Sequence, residues 1–296
     1  MKKQIIILLL AILTFHAVNS QQIPHFSQYT LNHYMINPAA TGTTEKIPVS
    51  FTFRKLWAGF EGSPSVQLLS GDIAVADGMG AGMKLFNRQE GPLRKTGMEA
   101  TYSYHLDLNS MGTKLSFGLS ALLYQVYLNK SDMKVEEPDD EVFMGNEKMT
   151  VPDASFGMYL YDEDYYVGLS VPQLFNRNID FKSDGILQNK QVRHYYLHGG
   201  YRFELNPDLK LEPSLLLKFI EAGLFQADIN ARVTYKDMLI GGISFRTSEA
   251  LIFQVGYQVQ DFTIGYSFDL VLNALKSQTI GSHEIMLIYS LDNFIR

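Results

Sequence analysis

The sequence predicts an all-β chain: a transmembrane antiparallel up-and-down β-barrel of about 14 strands, preceded by a short N-terminal segment outside the barrel. Three observations predict it. From about residue 47 onward the dominant pattern has a period of two, the connections alternate between short and long, and Phe and Tyr are abundant without any apolar run of membrane-helix length after residue 20. Period two places alternate residues on opposite faces of a strand, which is how one chain shows lipid an apolar face and water a polar one.

The chain begins with Lys2 and Lys3, an apolar run from Ile5 to Phe15, and the small residue Ser20 before Gln21. That order reads as a cleavable export signal over 1–20, its apolar run shorter than the roughly 20 residues a membrane helix needs. The expected mature chain starts at Gln21. It lies in the outer membrane with a periplasmic N-terminus, residues 21–46 form a periplasmic or plug segment, and 47–296 form the barrel. Removing Lys2 and Lys3 lowers a formal charge that is already -6, which argues against a general nucleic-acid partner. The chain has no cysteine, so thiol nucleophiles, cysteine metal sites and disulfides are excluded.

The expected strands are 47–55, 64–75, 79–87, 96–107, 113–127, 153–161, 164–171, 191–204, 208–219, 226–236, 238–246, 249–259, 262–270 and 283–291. Every second connection is turn-like, as at Asp77-Gly78, Asp162-Glu163, Asn206-Pro207, Lys236-Asp237 and Gln260-Asp261. The others are longer: 56–63, 88–95, 128–152, 172–190, 220–225 and 271–282, with 247–248 as the exception. Barrels sort their connections this way, with short turns on the periplasmic rim and long loops outside. A β-sandwich or propeller has no reason to do so.

Chemistry assigns the faces. The sets containing Leu251, Ala227 and Tyr195 are apolar and aromatic and are expected to face lipid. Their alternates carry charge and amide groups, which cost a few kcal/mol each in hydrocarbon at mid-depth. The expected lumen lining is therefore Arg202, Glu212, Lys218, Asp228, Asn230, Arg232, Arg246, Gln254, Gln258 and Asp269, and the same phasing turns Arg54, Glu99 and His105 inward. Both signs are mixed, as in a paired polar network. Whether the lumen is open or plugged is left open by this pattern.

No catalytic constellation stands out, and no metal site or cofactor is expected. Gly78-Met79-Gly80-Ala81-Gly82 opens a strand, where small residues relieve crowding against the plug or a neighbouring backbone. His194 and His198 share a face but stand roughly 13 Å apart along a strand, too far to hold one metal. The acidic run Glu136 to Glu141 lacks calcium-loop spacing and reads as a solvated or partner-facing loop. Trp57, the single tryptophan, suits either an interfacial anchor or a partner contact.

Several stretches resemble the PorP/SprF family of outer-membrane proteins, associated with type IX secretion and gliding motility in the Bacteroidetes. They are Phe26-Ser27-Gln28-Tyr29, Asn37-Pro38-Ala39 with Gly42, Arg54 with Trp57 to Pro64, Gly168 to Leu174, Pro213-Ser214 with Lys218, Gly265-Tyr266 and Gly281 to Ile285. Leu56 departs from the polar residue expected before the tryptophan. The resemblance implies a non-enzymatic component that helps secrete or anchor a large surface protein through its C-terminal sorting domain. It also implies periplasmic ring lipoproteins as partners, alongside outer-membrane lipid. The candidates for partner contact are Asn37, Pro38, Ala39, Arg54, Trp57, Gly59, Phe60, Pro64, Pro172, His283 and Glu284. The alternative is a porin-like passive channel for small solutes.

Overall fold

The computed structural model describes residues 26–108, 112–130, 146–175, 178–180, 188–190, 192–221, 223 and 225–294. The export-signal expectation and the acidic run Glu136 to Glu141 lie outside them.

The strands follow in chain order: β1 Ile47–Lys55, β2 Ser65–Ala76, β3 Met79–Glu90, β4 Leu93–Asp107, β5 Lys114–Leu128, β6 Glu147–Tyr161 and β7 Tyr165–Val171. A separate hairpin, β8 Asn178–Asp180 and β9 Gln188–Lys190, interrupts the next connection. Then come β10 His194–Tyr201, β11 Phe203–Asn206, β12 Leu209–Ile220, β13 Phe225–Tyr235, β14 Leu239–Arg246, β15 Ala250–Val259, β16 Phe262–Val271 and β17 Ser282–Leu291. Each barrel strand pairs antiparallel with its chain neighbour, and β1 pairs with β17 to close the sheet. Tyr201 and Phe203 flank a break at Arg202, so β10 and β11 are one barrel strand in two pieces, both paired with β12. The result is a closed 14-strand antiparallel barrel.

The alternation read from the sequence is visible in the burial. On β15, Phe253 and Val255 are exposed to the outside while Ile252 and Gln254 are buried. Short turns gather at one rim, and there Lys236 and Asp237 both adopt a φ of 52°, the left-handed geometry of a tight hairpin. At that rim Lys46 bonds Asp261 at 2.5 Å and faces Asp292 at 3.5 Å. The hydrogen bond to Asp261, with the added charge of Asp292, raises its ammonium above the ordinary lysine range.

Two of the expected long connections are shortened by longer strands. The segment 88–95, expected as a loop, is a tight turn at Gly91 and Pro92, because β3 runs to Glu90 and β4 starts at Leu93. Likewise β6 starts at Glu147, six residues before the expected 153. Strands β4, β5 and β6 each have 15 residues, whereas roughly 9–11 tilted residues cross a bilayer. Their long-loop ends therefore stand above the membrane as a wing.

Polarity inverts in that wing. Within the bilayer zone the outward residues are Leu85, Met98, Leu119 and Leu123, and the inward ones Lys84, Glu99, Ser120 and Ser155. Higher up, the outward residues are Gln89, Arg94, Thr96, Gln125 and Lys148. The inward ones include Leu122, Tyr124, Val126, Leu128 and Val151, a buried apolar cluster with Phe86, Leu93 and Met149 packed on it. Water bathes the outside of the wing, so its apolar residues turn inward like those of a soluble sheet.

Candidate functional site: a lumen plug between two chambers

Residues 26–46 lie inside the barrel. They run from the long-loop half of the lumen down to the short-turn rim, through two 3-10 turns. Asn32 caps the first, His33–Met35, by accepting from the Tyr34 N–H. Asn37 caps the second, Pro38–Ala40, by accepting from the Ala39 N–H, with Pro38 in the first helical position, where its missing N–H and fixed φ cost nothing.

The Asn37-Pro38-Ala39 turn rests on a floor of glycines. Gly118 on β5 faces Gly157 on β6 in register, and Gly168 lies on β7. A Cβ on Gly118 would stand 2.3 Å from the Ala39 nitrogen, one on Gly157 2.0 Å from Asn37 Oδ1, and one on Gly168 2.6 Å from Asn37 Nδ2. No side chain other than hydrogen fits at those positions with the plug in place. Asn37 Nδ2 donates to the Met158 carbonyl at 3.0 Å and sits 3.1 Å from His198 Nε2. The crowding expected at Gly80 and Gly82 is also present: their Cβ positions lie 2.5 Å from the Thr41 carbonyl oxygen and 2.8 Å from the Tyr34 ring.

The upper end of the plug is held by charge. Arg54 on β1 and Glu284 on β17 are register partners, bonded at 2.9 Å, and Arg54 also bonds Asp269 on β16 at 2.6 Å. The backbone N–H groups of Ser27 and Gln28 donate to Glu284 at 2.8 and 2.9 Å, and Arg54 donates to Ser27 Oγ at 2.7 Å. Next to this group Arg246 and Lys218 bond Asp228, at 3.0 and 3.1 Å. Arg246 also donates to the Phe26 carbonyl at 3.3 Å. Three cations thus meet three carboxylates, all essentially without solvent exposure. A network of this kind holds its geometry because removing any member strands a buried charge. Lower down, Tyr29 accepts from Asn230, the Thr30 carbonyl from Arg232, and the Thr41 carbonyl from Ser103, each at 2.7 Å.

The plug separates two chambers. Toward the short-turn rim is a vestibule of about 670 Å³ lined by His33, Tyr159, Tyr161, Tyr166, Arg202 and Glu212. Toward the long loops is a smaller chamber of about 170 Å³, largely apolar, bounded by Phe26, Ile36, Phe86, Tyr124 and Leu216.

At the long-loop rim two distant motif stretches clip together. Trp57 has a φ of 46°, a left-handed conformation uncommon for a large side chain, and its N–H donates to Ser282 Oγ at 3.0 Å. Ala58 and Gly281 continue the clip, with the Ala58 N–H donating to the Gly281 carbonyl at 2.7 Å and Ile280 donating back to Ala58 at 3.0 Å. Phe60 and Ile280 stand exposed beside it.

The candidate residues therefore fall into two groups. Asn37, Pro38, Ala39, Arg54 and Glu284 are buried and bonded or packed within the chain, so in this conformation they face the interior and hold the plug. Trp57, Gly59, Phe60, Pro64, Pro172 and His283 are wholly or partly accessible. Among the lumen candidates, Glu212, Lys218, Asp228, Asn230, Arg246, Gln254 and Asp269 are buried inside. Arg232 is partly buried, and Arg202 and Gln258 are exposed toward the short-turn end. Sequence reasoning missed the plug ligands Ser27 and Gln28 and the floor glycines Gly118 and Gly157. The signal for the first pair was present, since both belong to the Phe26-Ser27-Gln28-Tyr29 stretch. Among the described residues no three His, Asp or Glu side chains gather into a metal site.

A closed antiparallel barrel with an apolar outer belt, a polar interior and its own lumen plug defines a transmembrane β-barrel of outer-membrane type. The chain belongs to the PorP/SprF family of type IX secretion system membrane proteins, whose model matches residues 18–289. No curated protein matches it. Similar solved structures include the Ralstonia pickettii toluene transporter TbuX, at 10% identity and a TM-score of 0.50 over 88% of this chain and 92% of that one. The CymD monoaromatic hydrocarbon channel is 11% identical, with a TM-score of 0.49 over 86% of this chain and 90% of that one. A Pseudomonas aeruginosa FadL homologue is 10% identical, with a TM-score of 0.47 over 91% and 95%. At such identities the likeness concerns the fold alone.

Proposed function

We propose that this chain is a non-enzymatic outer-membrane component of the type IX machinery, which helps secrete or anchor one large surface protein through its C-terminal sorting domain. The observation that carries the proposal is the plug. A barrel whose lumen is filled by its own residues 26–46 through a balanced buried ion network acts as a scaffold, and a scaffold works through its rims. The partner is received at the long-loop rim, where Trp57, Gly59, Phe60, Pro64, Pro172 and His283 are accessible. Arg54, Glu284 and the Asn37-Pro38-Ala39 turn support that rim from below. Periplasmic ring lipoproteins meet the opposite rim, which holds the larger vestibule. The chain is exported by a cleaved signal over residues 1–20.

The porin alternative requires an open lumen, and the plug counts against it. The deciding experiment is a gentle-detergent pull-down of the tagged protein from native outer membranes, followed by mass spectrometry. Co-purification of a large surface protein with a C-terminal sorting domain supports the anchoring role and names the partner. A lone barrel, together with a deletion strain that still displays all its large surface proteins, contradicts it.

A further inference from the structure

The upper chamber is lined by one cation, Lys95, that has no ion-pair partner among the described residues. Lys84, Arg88, Lys95 and Lys218 all line it, against a single acidic residue, Glu99. Three of the four are partnered: Lys84 with Glu99 at 3.1 Å, Lys218 with Asp228 at 3.1 Å, and Arg88 with Glu90. Lys95 is 91% buried, since only 9% of its surface is exposed, and it sits on the inward face of β4 between Arg88 and Val126 in register. Among the described residues no carboxylate lies within ion-pair distance of its ammonium. An ammonium in a largely apolar surround is costly without an anion of its own, and here the Arg88 guanidinium and the Glu90 carboxylate that pairs with it both stand nearby.

Most of the rest of the wall is apolar. Phe86, Leu122, Tyr124 and Leu216 line it, and Pro172 and Gln173 stand at its edge where the long β7–β8 connection begins. The space of about 170 Å³ is comparable to a cavity of roughly 150 Å³ that admits a six-carbon ring. One positive charge inside an apolar chamber of that size is complementary to an apolar chain ending in one negative charge. A neutral alcohol would leave the ammonium unpaired, and a dianionic phosphate would bring a second charge with no free cation to meet it.

We propose that the upper chamber binds an acyl carboxylate, its chain packed against Phe86, Leu122, Tyr124 and Leu216 and its carboxylate on the Lys95 ammonium. The site lies above the plug and is independent of any secreted partner, so it stands or falls separately from the anchoring role.

The probe is octanoate labelled with carbon-13 at the carboxyl, added to the full-length barrel in amphipol and followed by NMR. The expected result is a distinct bound carboxyl resonance saturating at one per barrel. Lys95→Gln abolishes it, Lys95→Arg retains it, and Lys114→Gln at the short-turn end leaves it unchanged. Octanol competes at least tenfold more weakly than unlabelled octanoate. Heat-modifiable migration in gel electrophoresis verifies that each variant is a folded barrel. Absence of a bound resonance in the wild type, or its survival in folded Lys95→Gln, overturns the site. Displacement of octanoate by a short apolar peptide with a free C-terminal carboxylate, at concentrations where octanoate itself binds weakly, overturns the acyl assignment in favour of a polypeptide end.

Discussion

Strands β3 to β6 are built on two opposite plans along their own length. In the bilayer zone the outside is apolar and the inside polar, whereas in the wing above it the outside is polar and the inside carries the apolar Tyr124 cluster beside a few charged groups, Arg88, Glu90 and Lys95. The same strands, with the same period of two, change plan because the solvent outside changes from hydrocarbon to water. The contrast shows that polarity of a face reports its surroundings, while the period alone reports the strand. It also explains the division of labour inside. The belt interior can hold a charged plug network because it is polar, and the wing interior gives the chamber above the plug its apolar wall of Phe86, Leu122 and Tyr124.

Breaking the belt interior has the largest expected effect. Arg54→Leu strands Glu284 and leaves Asp269 with Arg246 at 3.6 Å as its remaining cation, and loss of one partner from a buried pair costs about 3–5 kcal/mol, measurable as a lowered urea midpoint for the barrel in liposomes. An unchanged midpoint would mean that the network contributes nothing to holding the barrel.

The next effect sharpens the contrast on the outer face. Leu119→Arg places a charge on the lipid side of the belt and is expected to cost about 2–4 kcal/mol. Thr96→Arg, on the outer face of the wing, is expected to stay within about 0.5 kcal/mol. Equal costs at the two sites would erase the boundary between belt and wing. Inside the wing, Leu122→Ala removes packed apolar volume from the Tyr124 cluster. Its cost lies at the lower end of the range of about 2–5 kcal/mol for such truncations, because the site borders a chamber and can relax.

Much of this architecture was legible in the sequence. The strand set, the sorting of short and long connections, and the inward phasing of Arg54, Asp228 and Asp269 all follow from period two and charge. The 88–95 segment was misread for a physical reason. Arg88, Glu90, Arg94 and Lys95 lie above the membrane, where neither face needs to be apolar throughout, so the lipid-facing alternation that marks a barrel strand is absent there. The plug is a different case. Gly80 and Gly82 signalled a close approach, but the contact of Asn37 with Gly157, or of Ser27 with Glu284, joins residues that no local pattern relates. What the quoted motif stretches share became visible only in space: Gln28 against Gly265, Asn37 against Gly168, and Arg54 with Glu284 all converge on the plug.

The most direct measurement is single-channel conductance in planar bilayers for the wild type and for Gly157→Val, whose side chain would occupy the place of Asn37. A seated plug predicts a silent wild type and recurrent conducting steps for the folded variant. A wild type that conducts steadily, at the same level as Gly157→Val, would contradict the plug and return the barrel to the class of open channels.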